Sequence, residues 1–272
     1  MSSPDIQHRV PGDRWFAPLS GDAFFLGRLF LGVAVAGSGV LQLVTGKLVR
    51  LVPAAEGDPS SALPYLVGVV LLAAGCAIAA GRRARLAAGI VAGLILLSLV
   101  LAQVPRLVEN PSAFFMWTNP LKGLALAGGL GLLVAMLARV EGRGSPGLEA
   151  LAVLFLAVFL FVCGLQHFVY ADFVTVLVPS WIPGQRFWAY LTGMALIAGG
   201  AGILVPRLAR MAATLTAAMI FLWVLLLHIP RSVAGPDRAG ETAGVFEAMA
   251  ISGIALLVAC RSARPAARRR PG

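Results

Sequence analysis

Long apolar runs separated by short polar stretches make up most of the chain. Eight of these runs are close to the length of about 20 residues that an α-helix needs to cross hydrocarbon about 30 Å thick. The pattern therefore predicts an all-α, polytopic membrane protein with eight transmembrane helices. We predict these helices over Ala23–Thr45, Leu63–Ala80, Leu86–Val104, Leu121–Ala138, Leu148–Tyr170, Phe187–Val205, Leu208–Ile229 and Val245–Cys260.

The composition agrees with this interpretation and excludes a large soluble catalytic domain. Of the 272 residues, 59% are hydrophobic and 12% are charged, and the mean hydropathy is +0.88. The formal net charge is +10. In a soluble chain this excess would indicate nucleic acid, but in a membrane protein it indicates orientation. We therefore expect the lipid bilayer, and no nucleic acid, as a partner.

The basic residues are unevenly divided between the two sides of the predicted membrane. An even number of helices puts both termini on one side, and the positive-inside rule assigns that side to the cytoplasm. We therefore expect an inner-membrane protein with a cytoplasmic N-terminal segment, 1–22, and a basic cytoplasmic tail, 261–272. The side of the termini has fifteen basic residues, namely Arg9, Arg14, Arg28, Arg82, Arg83, Arg85, Arg139, Arg143, Arg207, Arg210, Arg261, Arg264, Arg268, Arg269 and Arg270. The opposite side has seven, namely Lys47, Arg50, Arg106, Lys122, Arg186, Arg231 and Arg238.

The first apolar run also has features of a secretory signal. Its Ala34-Val35-Ala36 resembles a cleavage site. We expect the helix to be retained, because its loss would leave the first predicted bundle open.

The two halves of the chain resemble each other at a spacing of 125 residues. A gapless alignment of 65–106 with 190–231 gives about 18 identities over 42 positions, well above chance for two apolar segments. The chain is therefore interpreted as two tandem four-helix bundles, with parallel topology because four is even. We call 23–138 the first half and 148–260 the second half, with the cytoplasmic linker 139–147 between them. Glycines spaced by seven, Gly68 with Gly75 and Gly193 with Gly200, indicate close helix packing.

The cysteines and short motifs exclude several chemical classes. Cys76, Cys163 and Cys260 are single and widely spaced, so the chain lacks a Cys-x-x-Cys pair for disulfide redox chemistry. It also lacks a phosphate-binding loop, a zinc-protease motif and a Gly-x-Ser-x-Gly nucleophile elbow. Nucleotide-driven and hydrolytic enzymes thereby lose their support.

The polar residues of most interest cluster at the predicted outer end of the second half. His167 ends the fifth helix, Tyr170 and Asp172 follow it, and the seventh helix ends in His228 and Arg231. Such residues at membrane depth need a partner or a water-filled cavity. Imidazoles can transfer protons, hydrogen-bond a quinone or ligate a metal or haem, and an arginine can hold an anion. A purely structural role, in which each histidine hydrogen-bonds a neighbouring helix, remains an alternative.

The first half provides an internal comparison for these residues. At the 125-residue spacing, Gln42 takes the place of His167 and Gln103 that of His228, whereas Arg106 and Tyr65 match Arg231 and Tyr190. Amides cannot titrate, so a site for protons or a metal can belong only to the second half.

Aromatic residues flank the predicted outer cluster. Trp181 and Trp188 are placed at the outer membrane interface, where an aromatic belt is the ordinary interpretation. With Tyr190 they could instead cover a bound ring. Trp223 is interpreted as facing lipid or packing within the bundle.

Several segments resemble the DoxX family of small four-helix membrane proteins. They are the helix ending Gly164-Leu165-Gln166-His167-Phe168, the loop Val178-Pro179-Ser180-Trp181-Ile182-Pro183, the segment Trp188-Ala189-Tyr190-x-x-Gly193, and Trp223 with His228-Ile229-Pro230-Arg231. The resemblance covers most of the second half and, more loosely, the first. It implies a four-helix membrane bundle and, for some relatives, association with quinone-linked or other membrane redox complexes.

Three functions follow as hypotheses. The leading one is a DoxX-like, quinone-contacting or accessory subunit of a membrane redox or detoxification system, with other redox subunits as partners. The alternatives are a small-solute transporter or channel along the interface between the repeats, and a non-catalytic scaffold or assembly factor. The sequence assigns no cofactor: a quinone is one candidate, a haem or metal is not expected, and no catalytic residue is assigned.

Overall fold

The computed structural model describes residues 19–48, 62–234 and 237–262, and within them every regular element is helical. Eight helices are long and apolar enough to cross a membrane, as predicted. The chain is therefore a multi-pass, all-α integral membrane protein. The spanning helices are α1 (Leu19–Thr45), α2 (Leu63–Ala80), α3 (Ala84–Glu109), α4 (Phe114–Val140), α5 (Pro146–Val169), α6 (Gln185–Leu204), α7 (Ala209–Ala234) and α8 (Arg238–Ser262). Most of the predicted segments 1–22 and 261–272, together with Arg50, lies outside the described residues.

Two helices continue beyond the ends that the sequence predicts for them. The predictions end α3 at Val104 and α7 at Ile229, immediately before a proline, but both helices run through the proline for another turn. In each case a π-helical turn precedes the proline, over Leu99–Gln103 in α3 and Val224–His228 in α7. The wider turn accommodates the missing proline N–H and lets the helix go on. The two π turns are themselves 125 residues apart.

The eight helices form a ring in which each packs against its neighbours in sequence, and α8 closes the ring on α1. The fourth helix of each half thus packs along the first helix of the other half, α4 on α5 and α8 on α1. In addition, α4 and α8 contact each other across the centre. They are the most buried spans: 67% of the apolar stretch of α4 and 72% of that of α8 lie inside the bundle. The contacts between the two halves are therefore made mainly by α4, which packs on α5, and by α8, which packs on α1.

Glycines bring the first two helices of each half into backbone contact. A Cβ added to Gly39 of α1 would lie 2.7 Å from the Gly68 carbonyl oxygen of α2. The same distance, 2.7 Å, separates a Cβ on Gly164 of α5 from the Gly193 carbonyl oxygen of α6. Lipid offers no hydrophobic force to drive helices together, so small residues and close van der Waals contact are what hold these pairs.

An ionic network ties three helices together at the side of the membrane where α1 begins and α8 ends, which we call the terminal face. Glu149 near the start of α5 is buried, with only 2% of its side chain exposed. Its carboxylate is paired with Arg139 of α4, and its Oε2 accepts a hydrogen bond from Arg261 Nε of α8 at 3.0 Å. The ends of α4, α5 and α8 are thereby fixed to one another.

Candidate functional site

A cluster of ionisable side chains lies at the opposite side of the membrane, the distal face, where α4, α5, α7 and α8 meet. Lys122 is in the third turn of α4, His167 near the end of α5, His228 in the π turn of α7, and Glu247 in the third turn of α8. Lys122 and Glu247 form an ion pair, His228 lies against α8 at Gly244, and His167 stacks on Trp223, five residues before His228. We call Lys122, His167, His228 and Glu247 the distal cluster.

Lys122 and Glu247 form an ion pair inside the bundle. The ammonium nitrogen lies 2.6 Å from Glu247 Oε2, and the side chains are only 12% and 11% exposed. The two residues are 125 positions apart, so they are equivalent in the repeat alignment and carry opposite charges. A pair of this kind tolerates low dielectric only because each charge neutralises the other.

The second carboxylate oxygen of Glu247 has no partner. Among the described residues, Glu247 Oε1 is the buried side-chain polar atom for which the protein provides no hydrogen bond. His228 lies nearby on the same side of α8, because a Cβ on Gly244, one turn before Glu247, would be 3.1 Å from His228 Nδ1. A buried carboxylate oxygen without a donor is costly. Such an atom is a natural contact for a ligand that donates a hydrogen bond.

His167 is held in one orientation by its own helix. Its Nδ1 lies 2.7 Å from the Cys163 carbonyl oxygen. A carbonyl oxygen can only accept, so Nδ1 carries the proton and the Nε2 of the neutral ring is an acceptor. The ring also stacks on Trp223 of α7, with 6.2 Å between ring centroids. Trp223, interpreted from the sequence as packed or facing lipid, is thus the aromatic partner of a site histidine.

Arg231 is engaged in an ion pair of its own beyond the distal cluster. Its guanidinium binds the carboxylate of Glu241 in α8 through two nitrogens, with Nε 2.9 Å from Oε2. This bidentate pair holds the C-terminal end of α7 against α8. Arg231 therefore links α7 to α8, and it could bind an anion only if Glu241 were displaced.

Tyr170 and Asp172 do not join the distal cluster. The helix α5 ends at Tyr170, whose ψ of 38° leaves the helical region, and a short helix, Ala171–Leu177, starts in a new direction. Asp172 is 93% exposed on its side chain and pairs with Arg186 at 3.2 Å. Tyr170 stacks on Phe114 of α4, with 6.4 Å between centroids. The sequence ends the fifth helix at Tyr170 with Asp172 just beyond it, and in the structure both side chains contact partners other than the histidines.

The aromatic residues that were predicted as a possible cover for the site also lie outside the distal cluster. Trp181 is 64% exposed, and the Trp188 indole N–H donates to the Pro183 carbonyl in the adjacent loop. Tyr190 stacks on Phe168, with 5.6 Å between centroids. These three side chains form an aromatic surface around the α5–α6 connection, consistent with a membrane-interface belt.

The first half uses its equivalent residues in neutral contacts. Gln42 is fully buried and donates from Nε2 to the Pro64 carbonyl oxygen at 2.7 Å, which joins α1 to α2. Gln103 is also buried, whereas Tyr65 and Arg106 are exposed. The first half thus holds no histidine at either position and leaves its arginine at the surface.

Sequence reasoning missed Lys122, Glu247 and Glu241 as site residues. Lys122 was counted only as an orientation residue. One signal was available, since the 125-residue spacing places a lysine and a glutamate at equivalent positions of two apolar helices. The described residues contain no group of three or more His, Cys, Asp or Glu that could hold a metal ion.

Comparison with known proteins adds one match. A family described as a domain of unknown function (DUF8561) matches residues 156–234, which span most of α5, all of α6 and all of α7. No curated protein and no solved structure matches the chain. Fold and site together define an α-helical, multi-pass membrane protein with an ionisable cluster between its two halves.

Proposed function

We propose that the protein is a DoxX-like accessory subunit of a membrane redox or detoxification system, and that the distal cluster binds the polar head of a membrane quinol. The observation that carries this proposal is the unpartnered Oε1 of buried Glu247. It is a buried acceptor to which the protein itself offers no donor.

The hydrogen-bonding capacity of the cluster favours a ligand that donates. Glu247 Oε1 can only accept, and His167 offers Nε2 as an acceptor because Nδ1 is bound to a backbone carbonyl. A quinol has two hydroxyl donors, whereas the oxidised quinone has only acceptor carbonyls. The reduced form is therefore the better match to these two atoms. Trp223, stacked on His167, offers a surface for the ring.

The proposal places the site in the second half alone. Gln42 uses its amide nitrogen to join α1 to α2, and the first half has no imidazole at this position. The resemblance to the DoxX family and the tandem duplication are part of this proposal. The duplication is supported by α-helical segments Ala84–Ser98 and Ala209–Trp223, whose ends are both 125 residues apart.

We place the protein in the inner membrane with both termini in the cytoplasm. The supporting observation is the division of basic residues in the sequence, fifteen assigned to the side of the termini and seven to the opposite side. Reporter fusions at the two termini and in the α5–α6 connection test this, with cytoplasmic activity expected only for the termini.

The quinol proposal is tested on protein purified in its native lipids. Mass spectrometry and absorbance spectroscopy of the extract should show quinone or quinol at close to one per chain. The variants His167→Gln and His228→Gln, which introduce the first-half residues, should lose it while remaining folded. Gln42→Asn is the control, because it disturbs the buried position of the first half that is equivalent to His167. Wild type without quinol, or variants that retain it, would contradict the proposal.

A second candidate, transport of a small solute between the halves, is favoured by a different observation. Ion pairs close both ends of the central region, Lys122 with Glu247 at the distal face and Glu149 with Arg139 at the terminal face. Ion pairs of this kind could break and re-form alternately at the two faces. Flux into proteoliposomes that depends on a solute supports this candidate, and impermeability to a broad panel counts against it.

A further inference from the structure

Three arginines surround the tight turn between α2 and α3 at the terminal face. Arg82 and Arg83 belong to the turn itself, and both are exposed. Arg28 of α1 reaches the same turn from the side, since a Cβ added to Gly81 would lie 2.5 Å from its Nη1. We call Arg28, Arg82 and Arg83 the arginine cluster. It lies on the opposite side of the membrane from the distal cluster.

Arg28 is held in place by the end of α2. Its Nη1 donates to the carbonyl oxygens of Ile78 and Ala79 at 2.8 and 2.9 Å. These carbonyls are in the last turn of α2, at the negative end of the helix dipole. The other two nitrogens of the guanidinium, Nε and Nη2, form no hydrogen bond with a residue that the structure describes. Their N–H groups can therefore donate to an acceptor from outside the protein.

The backbone of the turn keeps the other two arginines beside Arg28. Gly81 ends α2 with a φ of 74°, and Arg83 precedes α3 with a φ of 52°. Both values lie in the left-handed region, which residues with a side chain rarely adopt. The chain thus reverses direction over Gly81–Arg83 alone. The backbone of Arg82 and Arg83 therefore stays next to the Arg28 guanidinium.

The arginine cluster is not neutralised by any carboxylate in the described part of the chain. On this face Glu141 and Glu149 are paired with other arginines. Asp22, in the first turn of α1, is exposed and forms no ion pair with a described residue. Like charges around one turn repel each other, and an anion between them relieves the repulsion. The charge balance therefore favours an anionic ligand.

We propose that the arginine cluster binds the phosphate of one anionic phospholipid in the leaflet at the terminal face. Guanidinium N–H groups match phosphate oxygens, and basic residues near the surface attract anionic headgroups. The occupant is a lipid because the turn lies where two spanning helices leave the hydrocarbon, which is the level of the headgroups. Phe25, whose ring centroid is 5.7 Å from the Arg28 guanidinium carbon, is exposed beside the cluster and can contact the acyl chains.

The second half has the equivalent turn without the cluster. At the 125-residue spacing, Val153 takes the place of Arg28 and Leu208 that of Arg83. Of the three arginines, only the equivalent of Arg82 is kept, as Arg207. We therefore expect the turn between α6 and α7 to bind no anionic lipid with comparable affinity, which makes it a matched control in the same protein.

The test is native mass spectrometry of the full chain in detergent with added phosphatidylglycerol or phosphatidylcholine of the same acyl chains. Wild type should retain one phosphatidylglycerol about 25-fold more strongly than phosphatidylcholine, as expected for two basic contacts that contribute about fivefold each. The double variant Arg82→Gln with Arg83→Gln should reduce this preference to about twofold or less. Arg207→Gln, at the equivalent turn, should leave the preference unchanged.

A second pair of variants separates the charge of Arg83 from its backbone. Arg83→Gly suits the left-handed φ, so it should fold at least as stably as wild type and still weaken phosphatidylglycerol retention about fivefold. Arg83→Lys keeps the charge and should keep most of the retention. Both variants should have the same quinol content as wild type, so this proposal and the quinol proposal are tested separately.

Three results would overturn the lipid site. Equal loss of preference in Arg207→Gln would show a general attraction to basic charge. An unchanged preference in the double variant would show that the lipid binds elsewhere. Displacement of the lipid by soluble glycerol phosphate at equal concentration would show an ion site that needs no acyl chain.

Discussion

Lys122 and Glu247 occupy equivalent positions 125 residues apart and face each other across the contact between α4 and α8, with Nζ 2.6 Å from Oε2. Under the proposed duplication, both positions would first have held the same residue. Opposite charges instead produce one neutral pair at the centre of the bundle. This asymmetry gives the distal cluster a carboxylate on one side and an ammonium on the other.

Removing one partner of this pair should destabilise the protein strongly. Glu247→Ala leaves the Lys122 ammonium unpaired in a nearly dry contact, and the expected loss of unfolding free energy is about 3–5 kcal/mol. The double variant Lys122→Met with Glu247→Leu should recover most of it, because apolar residues of similar volume remove both charges. Denaturation in mixed micelles measures the free energy of unfolding of each variant. A double variant no more stable than the single one would show that the pair is not the cause.

The Glu149 network at the terminal face should also be sensitive to neutralisation. Glu149 is buried against Arg139 and Arg261, so Glu149→Gln should cost about 3 kcal/mol of unfolding free energy. Glu141→Gln is the matched control, because the pair of Glu141 with Arg85 is 53% and 42% exposed. Pairs of that kind contribute about 0–1 kcal/mol. Similar losses in both variants would contradict the importance of burial.

Much of this architecture could be predicted from the sequence, and the reason is physical. Span number and approximate bounds follow from hydrocarbon thickness, which each apolar run must match by itself. The packing of α4 on α5 and of α8 on α1 could not be predicted, because contacts between membrane helices depend on local shape and leave no periodic apolar signal. The helix extensions past Pro105 and Pro230 were missed because a π turn is not encoded by the proline alone.

The candidate site was predicted only in part for a similar reason. His167 and His228 could be located because polar residues stand out in apolar helices. The orientation of Asp172, which follows the end of α5, could not be derived from spacing, and the partner of Lys122 lies in a helix distant in sequence. Pairing between helices is a property of the packed bundle, so the charge on Lys122 was interpreted as orientation.

Close packing at Gly39 and Gly164 provides a third prediction. A leucine at either position must displace the facing helix, so Gly39→Leu and Gly164→Leu should each cost about 1–3 kcal/mol of unfolding free energy. Gly93→Leu is the control, because a Cβ there meets no atom within 4 Å. It should be neutral or slightly stabilising, since leucine favours helix more than glycine. A control that unfolds as easily as the other two would refute the packing explanation.

The exposed residues that sequence analysis grouped with the histidines should be dispensable for the proposed ligand. Asp172→Asn breaks a solvent-exposed ion pair with Arg186, and Trp181→Ala removes an exposed ring. Both proteins should retain as much quinol as wild type in lipid extracts analysed by mass spectrometry. Loss of quinol in either variant would place the ligand near the α5–α6 connection and outside the distal cluster.

The most direct test of the proposed site uses the charge-swapped protein Lys122→Glu with Glu247→Lys. The swap preserves a neutral ion pair between α4 and α8, so stability should stay within about 1 kcal/mol of wild type. It also moves the carboxylate from α8 to α4, away from its present position beside His228. The decisive measurement is equilibrium binding of a short-chain quinol in nanodiscs. We predict binding at least about tenfold weaker than in wild type, as for loss of a hydrogen bond to a charged group. Unchanged affinity in a stably folded swap would contradict a binding role for Glu247.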